Sequence, residues 1–342
     1  MKHSNFIFCV FLAFFSQGIF GLQKESDHFI YYYEASDTSI IDTIATRLEG
    51  SYGRITSDLE LTINEKIGVH IYPTLQEFHN AIGWPDAPDW LVGVGYTELY
   101  VVSPLNPGPA HSYKEIMDNV FIHEFTHVCI AKINTNLPIW LNEGFACYEG
   151  GPYYSKASVV SVYNSLGRIP TLDELNSSYD NFANLGGYPF CLTISRFIIE
   201  NYGMENMVKF IKTPSDYSIF SDLAKSEFQE LWMEYVRVNY LGITSAEAQS
   251  YSNKIPGFFM VQNYPNPFNS ETMIFYRIPL PCNVNVSVFN IAGSILTVLE
   301  DCFQEPGNYK LQFIGSNFSS GIYLCRIQAG SFQQIKKMIL MK

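Results

Sequence analysis

One stretch constrains this chain more than any other: His123-Glu124-Phe125-Thr126-His127. It lies in a run from about Lys114 to Lys132 whose apolar residues Val120, Phe121, Phe125 and Val128 read as the buried side of a helix. A helix has about 3.6 residues per turn, so positions four apart share a face. His123 and His127 can therefore offer imidazole nitrogens to a single Zn²⁺. Glu124 stands beside them, placed to accept a proton from water. The same spacing also occurs on ordinary helices with two solvated histidines, so the surrounding sequence decides between the two.

That context is Leu137-Pro138-Ile139-Trp140-Leu141-Asn142-Glu143-Gly144-Phe145-Ala146, which opens the next helical segment near Pro138. Catalytic zinc usually takes three protein ligands and keeps one position for water, and Glu143 is the natural third ligand. Gly144 and Ala146 are small, which is expected to let this helix approach the one bearing His123 and His127 closely.

On these residues the chain resembles the gluzincin metallopeptidases, the group that includes thermolysin and the membrane-alanyl aminopeptidases. Trp140-Leu141-Asn142-Glu143-Gly144-Phe145-Ala146 is similar to the third-ligand motif of many aminopeptidases. Only 15 residues separate His127 from Glu143, fewer than in those families. The shorter gap and the layout of residues 29–150 look more like the compact bacterial peptidase MA-like families. The resemblance spans about 28–212. It implies an α+β, zincin-like peptidase domain holding Zn²⁺ through His123, His127 and Glu143, with Glu124 as general base.

Three further positions follow from that resemblance. In the aminopeptidases a tyrosine near the start of the next long helix hydrogen-bonds the oxyanion. Tyr188, in Gly186-Gly187-Tyr188-Pro189-Phe190, stands in the comparable place, although the usual Lys-Gly is absent and Tyr148, Tyr153, Tyr154 and Tyr179 stand nearby in sequence. Thermolysin-like enzymes place an Asp four residues after the Glu ligand, and Cys147 stands there instead. The aminopeptidases read a free amine through a Glu before the edge strand. Here Gly93-Val94-Gly95-Tyr96-Thr97-Glu98 occupies that region, and Glu98 reads more simply as a solvated strand-end residue. An endopeptidase is therefore favoured, with an aminopeptidase and a catalytically silent peptide-binding surface protein as alternatives.

The rest of the chain sets this site in a frame. Strand-like runs at 29–33, Ile67–Tyr72 and Leu99–Val102 alternate with helical spacing from Ile40 to Leu48 and from Leu75 to Ile82. That order predicts a mixed sheet flanked by helices. Helices then dominate to about Tyr240, including segments at 189–201 and 228–240. Six short β-rich runs, Met273–Ile278, Val284–Phe289, Ile295–Leu299, Tyr309–Phe313, Ile322–Ile327 and Gln334–Leu340, predict a small all-β sandwich. The expected organisation is a signal peptide at 1–21, a peptidase domain at 22–241, a linker at 242–257 and a β-sandwich at 258–342.

The first 21 residues have the charge, apolar core and small-residue end of a cleavable export signal. No later run is long enough for a transmembrane segment. Of seven Cys, Cys9 would leave with that signal. The other six form no Cys-x-x-Cys pair and read as small buried hydrophobes. A net charge of −12 makes nucleic acid an unlikely partner. The tail carries Asn263-Tyr264-Pro265-Asn266-Pro267-Phe268-Asn269, Val288-Phe289-Asn290-Ile291-Ala292-Gly293 and Lys336-Lys337-Met338-Ile339-Leu340. This ordered string is similar to the type IX secretion sorting domain. It implies passage across the inner and outer membranes, contact with the type IX machinery, and release or surface attachment. The substrate expected for the site is then a peptide or protein outside the cell.

Overall fold

The computed structural model describes residues 20–151, 153–220, 223–242, 259–260, 263, 265–278, 281–305, 307–330 and 332–342. Residues 1–19 of the expected signal peptide, and nearly all of the expected linker at 242–257, lie outside the described residues. The chain divides into two compact units, Met1–Ser215 and Asp216–Lys342.

The first unit holds a five-stranded sheet of β1 (Leu22–Glu25), β2 (Phe29–Tyr33), β3 (Ile67–Tyr72), β4 (Gly93–Gly95) and β5 (Leu99–Val102). Its strand order is β1-β2-β3-β5-β4. β2, β3 and β5 run parallel, while β1 and β4 are antiparallel edges. Every residue of β3 is buried, as expected for a central strand covered on both faces. Helix α1 (Ile41–Asp58) links β2 to β3, and α2 (Leu75–Ala81) follows β3. Thr74 caps α2 by accepting from the Glu77 N–H. The short edges β1 and β4 are not apparent from hydrophobic runs.

The helical half begins with one turn, Tyr113–Glu115, a π-helical stretch, Ile116–Val120, and α3 (Phe121–Ala131). It continues through α4 (Ile139–Glu149), α5 (Lys156–Leu166), α6 (Tyr179–Asn184), α7 (Gly187–Tyr202) and α8 (Met204–Lys212). Phe125 of α3 meets Phe29 of β2 edge-on, 5.2 Å between ring centres, which seats the His-bearing helix on the sheet.

The second unit opens with α9 (Lys225–Val236) and a π-helical stretch, Arg237–Leu241. This helical segment therefore falls with the tail and not with the helices before it. β6 (Phe259–Met260), β7 (Glu271–Ile278) and β10 (Gly307–Ile314) form one sheet. β8 (Cys282–Asn290), β9 (Ile295–Gln304), β11 (Gly321–Ala329) and β12 (Phe332–Leu340) form another, in the order β12-β11-β8-β9. Tyr276 and Phe313 of the first sheet share one buried cluster with Val286 and Ile327 of the second. The six β-rich runs read from sequence thus each became a strand in a β-rich C-terminal region. Among the described residues, no helix is long and apolar enough to cross a membrane.

Candidate metal centre

The helical run that carries His123 starts at a capping box: Ser112 accepts from the Glu115 N–H, and the Glu115 carboxylate accepts from the Ser112 N–H. The π-helical stretch lies directly before α3, a position where such insertions re-aim the side chains that follow. α4 starts at Pro138, and Asn176 Oδ1 accepts from the Ile139 N–H at 2.8 Å. Both starts help fix where the ligand-bearing helices point.

His123, His127 and Glu143 converge. The two imidazole Nε2 atoms are 3.1 Å apart. Glu143 Oε2 lies 3.3 Å from His123 Nε2 and 3.5 Å from His127 Nε2. A tetrahedral zinc with bonds of about 2.0–2.1 Å has ligand atoms about 3.3 Å apart. The three atoms therefore already stand close to one face of such a tetrahedron, and the two-nitrogen, one-oxygen donor set suits zinc.

Neighbouring side chains hold these groups in place. With its Nε2 turned to the cluster, His127 donates from Nδ1 to Asn142 Oδ1 at 3.1 Å. Tyr179 donates its hydroxyl to Glu143 Oε1 at 3.1 Å, leaving Oε2 to face the imidazoles. Cys147 lies in hydrogen-bonding reach of both His123 and Cys191. It thus meets His123 from the place where thermolysin-like enzymes carry an Asp. All six described Cys are free thiols; Cys129, Cys147, Cys191 and Cys325 are buried as expected, whereas Cys282 is half-buried and Cys302 is exposed, against that expectation.

Glu124 is buried against β4. The Gly95 N–H donates to its carboxylate. A Cβ on Gly93 would lie 2.9 Å from Glu124 Oε1, and one on Gly95 would lie 2.0 Å from the Glu124 carbonyl oxygen. Only glycine lets this edge strand lie so near the helix. Gly144 has a different role from the one expected of it. Its Cβ would lie 2.5 Å from the Cys191 carbonyl oxygen, so it admits α7 and not the helix bearing His123. Gly150 is the α4-end glycine that faces His123, whose Cβ would be 3.3 Å away.

Tyr188 packs in an aromatic group, stacked on Tyr154 at 5.9 Å and edge-on to Phe182 at 5.0 Å. The tyrosine bonded to the cluster is Tyr179. Glu98 accepts from His70 Nε2 at 2.8 Å and from the Tyr100 hydroxyl at 3.2 Å, both on Oε2, and its side chain is 41% exposed. Asn142, Tyr179 and the glycines of β4 were missed as site residues. Asn142 had a signal, being next to Glu143 in its motif, and Tyr179 stood among the tyrosines near Tyr188 in sequence.

The electrostatics follow from burial and pairing. Burial alone would raise the Glu143 carboxyl, but the two imidazoles outweigh it and hold this group well below the usual carboxylate range. Burial opposes charge on His127, yet Glu143 raises it above its ordinary value. His123 is likewise raised against burial, through Cys147 and Glu143. Burial raises Glu124, only partly offset by the two histidines.

Beside His127 lies a cavity of about 80 Å³. A larger hollow of about 370 Å³, bordered by Glu65, Lys66, Glu98 and Lys132, shares Tyr96, Ala131 and Thr135 with it.

A family model described as the peptidase MA superfamily matches residues 51–228. Another, described as a secretion system C-terminal sorting domain, matches residues 262–341. This tail marks the chain for export, to the medium or the cell surface. No match to a curated protein is found. Among solved structures, an aminopeptidase A of Legionella pneumophila, in complex with aspartic acid, is 10% identical with a TM-score of 0.32. That match covers 84% of this chain and 34% of the other. PorZ, a surface component of the type IX secretion system of Porphyromonas gingivalis, is 14% identical with a TM-score of 0.20. It covers 27% of this chain and 12% of the other.

Proposed function

The chain belongs to the peptidase MA superfamily, and from that premise we propose that it is a secreted zinc peptidase of the gluzincin type, cutting within peptide chains. The carrying observation is the triangle of His123 Nε2, His127 Nε2 and Glu143 Oε2, with sides of 3.1, 3.3 and 3.5 Å.

In this reading His123, His127 and Glu143 hold the ion. When bound, zinc supplies Lewis acidity, which polarises a scissile carbonyl and lowers the pKa of water. Glu124 takes a proton from the attacking water and passes it to the leaving amine. Its burial favours the protonated form, which suits the second of those transfers. β4 and its Gly95 N–H keep the Glu124 carboxylate from turning away. Tyr188 is the proposed donor to the oxyanion, since the Tyr179 hydroxyl is spent on Glu143.

Two observations favour cutting within chains over removal of N-terminal residues. An aminopeptidase needs a carboxylate for the free ammonium, and Glu98, the candidate, already spends Oε2 on His70 and Tyr100. The hollow adjoining the cavity beside His127 also leaves room for a chain to extend past it. The sorting tail supports delivery of this activity outside the cell through the type IX machinery.

The test uses the full-length protein and peptides blocked at both ends. The zinc-loaded protein should cut them, a chelator should stop the reaction, and zinc should restore it. Glu124→Gln should bind zinc and turn over nothing. An active, metal-loaded Glu124→Gln protein would remove the assignment of the base, and a strict need for a free N-terminus would favour an aminopeptidase.

A further inference from the structure

We propose that Tyr179 is a positioning residue that holds Glu143 to one ligand oxygen and so keeps a place at the ion open for the attacking water. The proposal rests on the zinc peptidase reading and adds a residue to its machinery.

The seat of Tyr179 is built by its own helix. It is the first residue of α6, whose cap Ser178 accepts from the Asn181 N–H at 3.1 Å. The Asn181 side chain donates to the Glu174 carbonyl at 2.9 Å. The Tyr179 ring stands edge-on to the fully buried Phe182, 6.4 Å between ring centres. None of these contacts involves a metal ligand, so the hydroxyl reaches the cluster from a support outside α3 and α4.

At the cluster this hydroxyl completes a chain of hydrogen bonds that runs one way. His127 donates from Nδ1 to Asn142 Oδ1 at 3.1 Å, Asn142 donates to the Tyr179 oxygen, and Tyr179 donates to Glu143 Oε1 at 3.1 Å. A phenol keeps its proton to about pH 10, so the last bond holds at neutral pH. Two ligands, His127 and Glu143, are thus tied to each other through Asn142 and Tyr179.

The two oxygens of Glu143 are used differently as a result. Oε2 lies 3.3 and 3.5 Å from the imidazoles of His123 and His127, while Oε1 is turned to Tyr179. The carboxylate is buried, so an Oε1 freed from Tyr179 would turn to the ion and not to bulk water. Binding through both oxygens would crowd the position that catalytic zinc keeps for water. It would also place more negative charge on the ion and weaken its pull on a carbonyl.

The experiment compares the full-length parent with Tyr179→Phe, which removes one oxygen and keeps the ring that packs on Phe182. Crystal structures of the two zinc-loaded proteins read the distance from the ion to each Glu143 oxygen. In the parent one oxygen should bind, at about 2.0–2.2 Å, and in Tyr179→Phe both should bind. Zinc affinity, read by chelator competition, should stay within about ten-fold of the parent, less than the usual loss, because the second oxygen replaces the lost support. The kcat on blocked peptides should fall by about 10–100-fold, with KM nearly unchanged. One-oxygen binding in Tyr179→Phe, two-oxygen binding in the parent, or an unchanged kcat would overturn the inference. A larger loss of zinc affinity would also overturn it, since Tyr179 would then simply anchor Glu143. Each of these results leaves a zinc-loaded parent that cuts peptides, and the peptidase reading with it. A zinc-loaded parent that cuts nothing would remove that reading and this inference together.

Discussion

Asn142 Oδ1 lies 3.1 Å from His127 Nδ1, so the residue just before one ligand, Glu143, orients another. That bond fixes the tautomer that leaves Nε2 for the ion and makes the ring a better donor. Asn142→Ala should weaken zinc binding by about 10–100-fold, the usual cost of losing such a partner. Asn142→Asp keeps an acceptor and should retain most of the affinity. Competition against a chromophoric chelator measures both, and equal affinity in Asn142→Ala and the parent would remove this role.

Gly95 predicts a sharp contrast between two glycines. A Cβ there would meet the Glu124 carbonyl oxygen at 2.0 Å and its carbonyl carbon at 2.7 Å, and backbone cannot give way as a side-chain tip can. Gly95→Ala should cost about 1–3 kcal/mol or more, and activity should fall with it because β4 braces Glu124. Gly50 sits in α1 with open space around its Cβ position. Gly50→Ala should stabilise by about 0.5–1 kcal/mol. Chemical denaturation of both variants gives the comparison, and a harmless Gly95→Ala would mean that β4 is free to move off α3.

These two residues also show what was legible in the sequence. His123, His127 and Glu143 were readable because ligand geometry demands a spacing of four on a helix and a carboxylate soon after. Buried strands such as Ile67–Tyr72 were readable from their apolar runs. β4 was not, since its Gly-Val-Gly is defined by what it touches and not by hydrophobic pattern. Gly144 was read as small for the right reason and assigned the wrong neighbour, because sequence does not say which helix a face meets. Tyr179 was one of several tyrosines near Tyr188 in sequence, and its reach to Glu143, 36 residues away, follows only from the fold. Glu98 was weighed as an amine reader, and its pairing with His70 depends on strands aligned only in the folded sheet.

The metal-free site should make stability fall with rising pH. The folded values of His123 and His127 are raised. Their contribution is thus complete below about pH 6.5 and is lost as pH climbs through the raised values. Glu143 is depressed, so its contribution is present above the unfolded value and is lost only in acid. Cys147, lowered against burial by Cys191 and His123, works the other way across the same window and offsets His123. Between about pH 6 and 9 the fall thus rests on His127. Chelator-treated protein should therefore melt lower at pH 8.5 than at pH 6, about the range in which the histidines lose their protons. Glu143→Gln should flatten the difference by removing the carboxylate that raises His127. A parent and a Glu143→Gln variant with the same pH slope would rule out the cluster as its source.

A second pairing holds the far end of the helix that carries Glu143. The Glu149 carboxylate is fully buried and pairs with the Arg54 guanidinium, which also donates from Nη2 to the Glu149 carbonyl at 2.9 Å. The guanidinium comes from α1, so this contact ties α4 to a helix packed beside α3. Removing one partner of a buried pair is costly because the other is left charged without water, whereas removing both can be nearly neutral. Arg54→Met should therefore destabilise by about 3 kcal/mol, toward the low end of that range because Arg54 is 47% exposed. Arg54→Met combined with Glu149→Met should regain most of the loss. Urea unfolding of the two single variants and the double variant closes the cycle. A double variant as unstable as the sum of the singles would show that the two side chains act independently, and that α4 is held at this end by packing alone.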